Sequence, residues 1–513
     1  MNLREFSDKL IRQKLTKSSK GGNPEVVEIL DEFSTQCFSD DLNLWAIEPN
    51  RFSLDLPFIN PDFLFVESAW NGNDGAWRYM VTSSEGPKEP LRKLVAKCHE
   101  IGIPAVFWNK EDPPHFDEFI RTAEIFDYVF TTDADMIPEY EKRTDAKRVE
   151  LLRFAANMRL HTPERVDGYR DGDVCFAGQY FREKFPERRQ QMEMLFPEAA
   201  RHDFTIYSRV LGGEERYQFP DEYSKFIAGS LPYSEMVNEY KRHKLFLNVN
   251  SVPNSSTMCA RRVYELSACK TVVLGVHTEA IRSVYDSTEV PLIRTREDAR
   301  VMIDRIISDD DFRDSMAQRA WRKTLSRHTY ENRVREILDV LGQQVLRKSV
   351  CIYVIIESSA NDQYERLVHE VKSQKFALAE KVSVQLYSRE KIDVDRLAED
   401  ELKEIYVAVV DQNFTYGKYF LNDLVLSARQ SGSSIVAKAV SSLGTLQQET
   451  RIDTIPESGY LLSLANSQDA KLINDLRRVA VPPGRLEPHS VYVADNFGVS
   501  LLADRKSATR LNV

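Results

Sequence analysis

The chain has 513 residues, 42% of them hydrophobic and 29% charged, and a formal net charge of −10. That length implies about three domains, and the acid excess argues against general nucleic-acid binding, which needs a basic surface. No apolar run approaches the ~20 residues that span a bilayer, and the N-terminus lacks a signal-peptide core, so a cytoplasmic protein is expected.

Arg4, Lys9, Arg12, Lys14, Lys17 and Lys20 interleave with Leu3, Phe6, Leu10 and Ile11. The pattern reads as a solvated helix on its own domain, with peripheral contact to the inner face of an anionic membrane as the alternative. The six cysteines show no C-x-x-C spacing, so reduced, mostly buried thiols are expected rather than a zinc site or a disulfide framework.

From Asn23 to about Pro163 apolar strands alternate with helical stretches. Residues 63–67, 104–108 and 127–132 are strand-like, and Leu91 to Ile101 reads as a helix between the first two. Such alternation predicts a parallel sheet, whose ligands collect at the carboxyl ends of the strands. Two loops stand there. After residue 67, Asn71-Gly72-Asn73-Asp74-Gly75 forms a tight turn between Trp70 and Trp77, a setting that suits a sugar ring or merely a bend. After residue 108, Lys110, Glu111, Asp112 and His115 crowd a loop stiffened by Pro113 and Pro114, and are candidates for acid–base chemistry.

Phe154 to Pro163 reads as an interdomain passage. A second alternating domain begins at residues 173–178, where Gly178 ends a strand and Arg182, Lys184, Arg188 and Arg189 follow on a helix; a solvated basic face is the expectation for Arg188 and Arg189. Residues 203–208 are the next strand, and residues 227–233 a loop suited to meeting a nucleobase. The segment Leu245 to Ile281 then reads strand, polar loop, helix, strand. Arg261, Arg262 and Glu265 share one helical face, and Asn254, Ser255, Ser256 and Thr257 stand where the helix is expected to begin, a setting that favours an anion. An ordinary cap and an i,i+4 ion pair are the plainer account. Tyr330 to Leu341 is an amphipathic helix.

Three motifs in order, Glu67-Ser68-Ala69-Trp70 with Gly72-Asn73-Asp74-Gly75, Trp108 with Lys110-Glu111-Asp112-Pro113 and His115, and Pro253-Asn254-Ser255 through Thr257-Met258, Glu265 and Ala268-Cys269, resemble the spore-maturation (CgeB-like) group of GT-B glycosyltransferases. The resemblance covers about residues 40 to 345. It implies an α/β, GT-B fold of two Rossmann-like domains facing a cleft, plus a smaller C-terminal α/β domain. The expected division is an acceptor-side domain over 1–165, a donor-binding domain with a return helix over 166–345, and a third unit over 346–513. In that third unit, residues 350–357, 381–388, 404–410 and 434–440 are strand-like. Asp411 to Asp423 and residues 491–497 resemble parts of GT-A glycosyltransferases, but of the aspartate run only Asp411 remains, which implies a degenerate, inactive appendage for assembly or acceptor binding.

The resemblance implies a hexosyltransferase that moves a sugar from a nucleotide sugar, a UDP-sugar foremost, to a cell-surface polysaccharide, glycolipid or protein, with no metal and no other cofactor. Donor contacts would come from Glu265 to the ribose, from Arg261, Arg262, Ser256, Thr257 and Asn254 to the diphosphate, and from Gly178 and Arg182. Trp70, Asn71, Asn73, Asp74 and Lys110 would face the acceptor, with Asp112, Glu111 or His115 as base. Many retaining GT-B enzymes carry a second glutamate where Thr257 stands, so retention is favoured only by analogy. A non-catalytic sugar- or nucleotide-binding scaffold and a GT-B-fold epimerase are the competing readings.

Overall fold

The computed structural model describes residues 22–82, 85–343, 348–387, 403–438, 450–452, 460–463, 491–495 and 499–501. The basic N-terminal segment lies outside the described residues.

Glu25–Ile29 (β1), Asn43–Ala46 (β2), Phe63–Glu67 (β3), Ala105–Asn109 (β4), Tyr128–Thr131 (β5) and Arg148–Leu151 (β6) form one six-stranded sheet in the order β2-β1-β3-β4-β5-β6. Every pairing is parallel. All residues of β1, β3 and β4 are buried, which is why these strands read as unbroken apolar runs and not as an alternation. Val26, Phe63, Phe65, Val106 and Trp108 fill one face, and Val27, Ile29, Leu64, Val66 and Phe107 the other. Helix α1 (Glu32–Phe38) follows β1 directly, and α2 (Glu89–Glu100) buries Leu91, Leu94, Val95 and Cys98 at helical spacing.

The second sheet has the order β12-β11-β10-β7-β8-β9, from Gly172–Gly178 (β7), Phe204–Ser208 (β8), Ile227–Gly229 (β9), His243–Asn248 (β10), Val272–Val276 (β11) and Leu292–Ile293 (β12). It too is parallel throughout. Its helices include α3 (Pro186–Ala199), α4 (Tyr233–Arg242), α5 (Arg262–Ala268), α6 (Asp310–Arg327) and α7 (Tyr330–Val340). Helix α7 comes back to pack on α1, with the Tyr330 and Phe38 rings 4.7 Å apart, and Ala156 of the outgoing passage pairs with Thr329 of the returning one. The GT-B arrangement is the one observed: two Rossmann-like sheets, a double crossover and a cleft between the carboxyl ends of their strands.

The third unit is a mixed sheet in which Ser349–Glu357 (β13) runs parallel to Lys403–Asp411 (β14). Its helix α8 (Phe420–Ser431) lies against α6. Arg322 of α6 grips Asp423 with two bonds of 2.7 Å, and Gln318 adds a third at 2.9 Å. The Gln430 side chain accepts from Trp321 Nε1 at 2.8 Å and donates to the carbonyls of His161 and Ala268 at 2.7 and 3.1 Å. Lys270 and Lys438 both bond Asp495, at 2.8 and 2.5 Å. All six cysteines are buried and free.

Candidate active site cleft

The carboxyl ends of the two sheets enclose a cleft of about 860 Å³. On the wall of the first sheet, Asp31 follows β1, Trp70, Asn71 and Asp74 follow β3, and Lys110 and Glu111 follow β4.

Lys110 organises this wall. Its ammonium is buried and bonds Glu67 at 2.8 Å and Asp31 at 2.9 Å. Burial alone would lower its pKa, and the two carboxylates more than reverse that, so it stays charged. Asp31 is fixed at both oxygens, because the Gly72 N–H donates to the second at 3.1 Å. Gly72 sits at φ +52°, and a side chain there would press on Ile29 and Trp77. Asn73 staples the same turn to β1: it accepts from the Leu30 N–H at 3.0 Å and donates to the Glu28 and Ile47 carbonyls. Asn73 is thus a scaffold residue outside the cleft lining, while Asn71 and Asp74 line it. Trp70 lines it as well, edge-on to His115 at 5.3 Å. Trp77 does not frame a ligand; it is fully buried, with its indole N–H on the Ile47 carbonyl.

Of the three candidate bases, Glu111 alone reaches the cleft. Asp112 turns into the core, where Asn109, Thr131 and Tyr140 donate to it at 2.8, 2.6 and 2.9 Å. Burial pushes its carboxyl up to about 7, against those hydrogen bonds. His115 bonds Glu118 at 3.1 Å, away from the cleft lining.

The opposite wall carries Gly178 at the end of β7, Tyr207 and Ser208 at the end of β8, and Arg261 and Arg262 at the start of α5. A side chain at Gly178 would fall 2.8 Å from the Phe176 ring. Arg261 lies between two rings, 4.2 Å from the Phe33 centroid and 4.6 Å from that of Tyr233, and pairs with Glu265. Arg262 donates to the Ala177 carbonyl and, at 3.3 Å, to the Tyr240 hydroxyl.

Glu265 is fully buried and stands behind Arg261, outside the cleft lining. Besides Arg261 it accepts from the hydroxyls of Tyr233 and Tyr240 at 2.9 and 2.8 Å. Burial would raise its pKa, but the charge of Arg261 leads a set of opposing interactions that holds it below the usual carboxylate range. His161 completes the chain. Its Nδ1 accepts from the Asn157 N–H at 3.0 Å, so its Nε2 carries the proton and donates to Tyr233 at 2.7 Å. Burial pushes His161 down to about 4, so the ring is neutral at pH 7. The expected ribose contact by Glu265 therefore has no open carboxylate in this arrangement; the residue fixes the guanidinium that does face the cleft.

The expected anion site at Asn254 to Thr257 is also relocated. Helix α5 begins only at Arg262, and these hydroxyls join the two domains instead. Ser256 donates to the Asp135 carboxylate through its N–H and hydroxyl, at 3.0 and 2.8 Å. The Thr257 hydroxyl donates to the Thr132 carbonyl and accepts from the Ala134 N–H. Asn254 is exposed outside the cleft lining. Arg182, which donates to the Gln218 carbonyl, is outside the lining too. Arg188 and Arg189 are not a solvated face. Arg188 is buried and donates to Val249, Ser251 and Gln179, and burial with the nearby Arg262 charge pushes it down to about 10. Arg189 donates to the carbonyls of Phe181 and Lys184.

Asp31 and Phe33 escaped the sequence reading, whereas the expected loop over residues 227–233 is the strand β9 leading to Tyr233 at the start of α4, in the cleft lining. The signal for Asp31 and Phe33 was present: the run Glu25 to Ile29 is a strand followed at once by an acid and an aromatic. In the third unit, Asp411 accepts from the Asn413 N–H at 2.8 Å, and Asp423 is committed to Arg322. Residues 496–497 of the GT-A-like 491–497 stretch lie outside the described residues.

Three solved structures with similar architecture are HepE of Anabaena in complex with UDP-glucose (12% identity, TM-score 0.42, 62% of this chain and 91% of that one), sucrose-phosphate synthase from Thermosynechococcus elongatus (12%, 0.37, 58% and 80%) and α,α-trehalose 6-phosphate synthase from Burkholderia multivorans (11%, 0.36, 55% and 72%). No curated protein matches the chain. Residues 188–339, from the buried Arg188 to the return helix, match the family described as "Glycosyl transferase-like".

Proposed function

We propose that the protein transfers a hexose from a nucleotide sugar, a UDP-sugar foremost, to a glycan-type acceptor such as a cell-surface polysaccharide, a glycolipid or a protein. The observation that carries this is the Arg261–Arg262 pair, lining a cleft whose opposite wall is rich in carboxylates. Glycosyl transfer releases a nucleoside diphosphate, and the enzyme must stabilise the charge that develops on it. Arg261, clamped between two rings and held by Glu265, presents a planar cation of fixed orientation, suited to a diphosphate. Arg262 and the bare backbone at Gly178 flank it. A volume of about 860 Å³ is in the range of sites that take molecules of nucleotide-sugar size.

The reaction proceeds without a metal in this reading, the two arginines supplying the charge stabilisation. The third unit serves assembly or acceptor binding, since Asp423 is already paired with Arg322. Action at the cytoplasmic side of a membrane fits such acceptors, and among the described residues no helix is long and apolar enough to cross one.

The test is to incubate the protein with UDP-, GDP- and ADP-sugars and measure released nucleoside diphosphate, with and without EDTA. Release that survives EDTA is expected. Tight nucleotide binding with no release from any donor would leave the scaffold reading in its place, and loss of release in EDTA would overturn the metal-free assignment.

A further inference from the structure

The carboxylates that line the cleft stand on one wall, beside the cations Arg78 and Lys110. On the second-domain wall the polar lining consists of hydroxyls, backbone and the cations Arg209, Arg261 and Arg262; among the described residues it has no carboxylate. Among the described residues the four carboxylates that line the cleft, Asp31, Glu32, Asp74 and Glu111, all belong to the first domain. Glu265, the acid of the cation wall, is sealed behind Arg261, and Thr257 is engaged with Thr132 and Ala134. A diphosphate held by the arginines therefore leaves toward one wall while every cleft carboxylate attends the other.

Among the four, Asp31 is the one held in place by two separate partners, Lys110 and the Gly72 N–H. The Lys110 ammonium sits between Asp31 and Glu67. Asp31 keeps 30% of its side chain exposed while Glu67 keeps none. Lys110 and Arg261 both lie against the Phe33 ring, at 5.9 and 4.2 Å from its centroid, so Asp31 and the diphosphate anchor serve one compartment.

Resting on the transferase reading, we infer that the enzyme inverts the anomeric centre in a single displacement, with Asp31 as the general base. The acceptor hydroxyl gives its proton to the Asp31 carboxylate and its oxygen bonds to the anomeric carbon. The bond from that carbon to the phosphate oxygen breaks, and its electron pair leaves with the nucleoside diphosphate beside Arg261.

The test needs no knowledge of the natural acceptor. The full-length chain is given α-configured UDP-glucose, UDP-N-acetylglucosamine, GDP-mannose and ADP-glucose, with water or sodium azide as nucleophile, and the first-formed sugar is assigned by proton NMR before mutarotation. The β-anomer is expected. Asp31→Asn should slow reaction with water by about 100-fold or more, while azide, which has no proton to lose, reacts within about threefold of the wild-type rate. An α-configured first product overturns the inversion. A variant that reacts normally with water, or that loses both reactions together, overturns the base. No turnover of any donor by the wild type would instead bring down the transferase reading itself.

Discussion

Glu265→Gln isolates the role of one charge. The substitution keeps size and shape, so it opens no cavity. It removes the counter-charge of Arg261 and the negative acceptor for the Tyr233 and Tyr240 hydroxyls. A hydrogen bond to a charged group contributes about 1.5–3 kcal/mol, and breaking a buried ion pair costs about 3–5 kcal/mol. These describe the same contacts and are not summed, so about 4 kcal/mol is expected, or roughly a thousandfold in an opening equilibrium. Hydrogen exchange by mass spectrometry reads this locally: amides of Arg262–Ala268 should exchange that much faster, with Phe63–Glu67 in the first sheet as internal control. The sign with pH follows from the depressed pKa of Glu265. Its stabilisation is fully present above the ordinary carboxylate value and is lost as pH falls through the lower folded value, so the two proteins should converge in acid. Acceleration of less than tenfold at pH 7 would mean that Arg261 is held by its aromatic neighbours and not by Glu265.

Other outcomes follow from the same contacts. Arg261→Lys should weaken UDP binding in calorimetry by about 1–3 kcal/mol, because an ammonium cannot keep both the Glu265 bond and the planar face toward a diphosphate. Asp423→Asn removes the carboxylate that accepts two bonds from the buried Arg322, and should destabilise the chain toward urea by about 3–5 kcal/mol. Asp112 has a folded-state pKa raised to about 7, so its contribution is fully present below the unfolded carboxyl value near 4 and is lost as pH rises to about 7. Asp112→Asn should therefore flatten the fall in stability over that window, measured by urea titration at successive pH values. Gly178→Val should abolish nucleotide binding in the same calorimetric assay while the Phe176 ring is displaced, seen as altered near-UV circular dichroism.

The fold was largely legible because its strands are buried on both faces. Residues 63–67 coincide with β3, and 349–357 and 403–411 with strands expected within a residue of those limits. The site was legible only as a neighbourhood. Periodicity brings Lys110, Glu111 and Asp112 to one strand end, but whether a side chain then turns toward solvent or core depends on partners far away in sequence. Asp112 turns inward because Thr131 and Tyr140 wait there, and Lys110 stays at the cleft because Asp31 and Glu67 hold it. Arg188 reads as surface charge on a helix, yet it is buried because the Val249 and Gln179 carbonyls need a donor. Asn254 to Thr257 look like a helix cap because hydroxyls before an apolar period usually are one; here Asp135 and Thr132 of the other domain claim them.

That last contact has a mechanical meaning. Ser256 and Thr257 stitch β10's trailing loop to the segment after β5, so along that flank the two domains are sewn together at the rim. Any swing of one domain against the other would have to pivot about these bonds or break them.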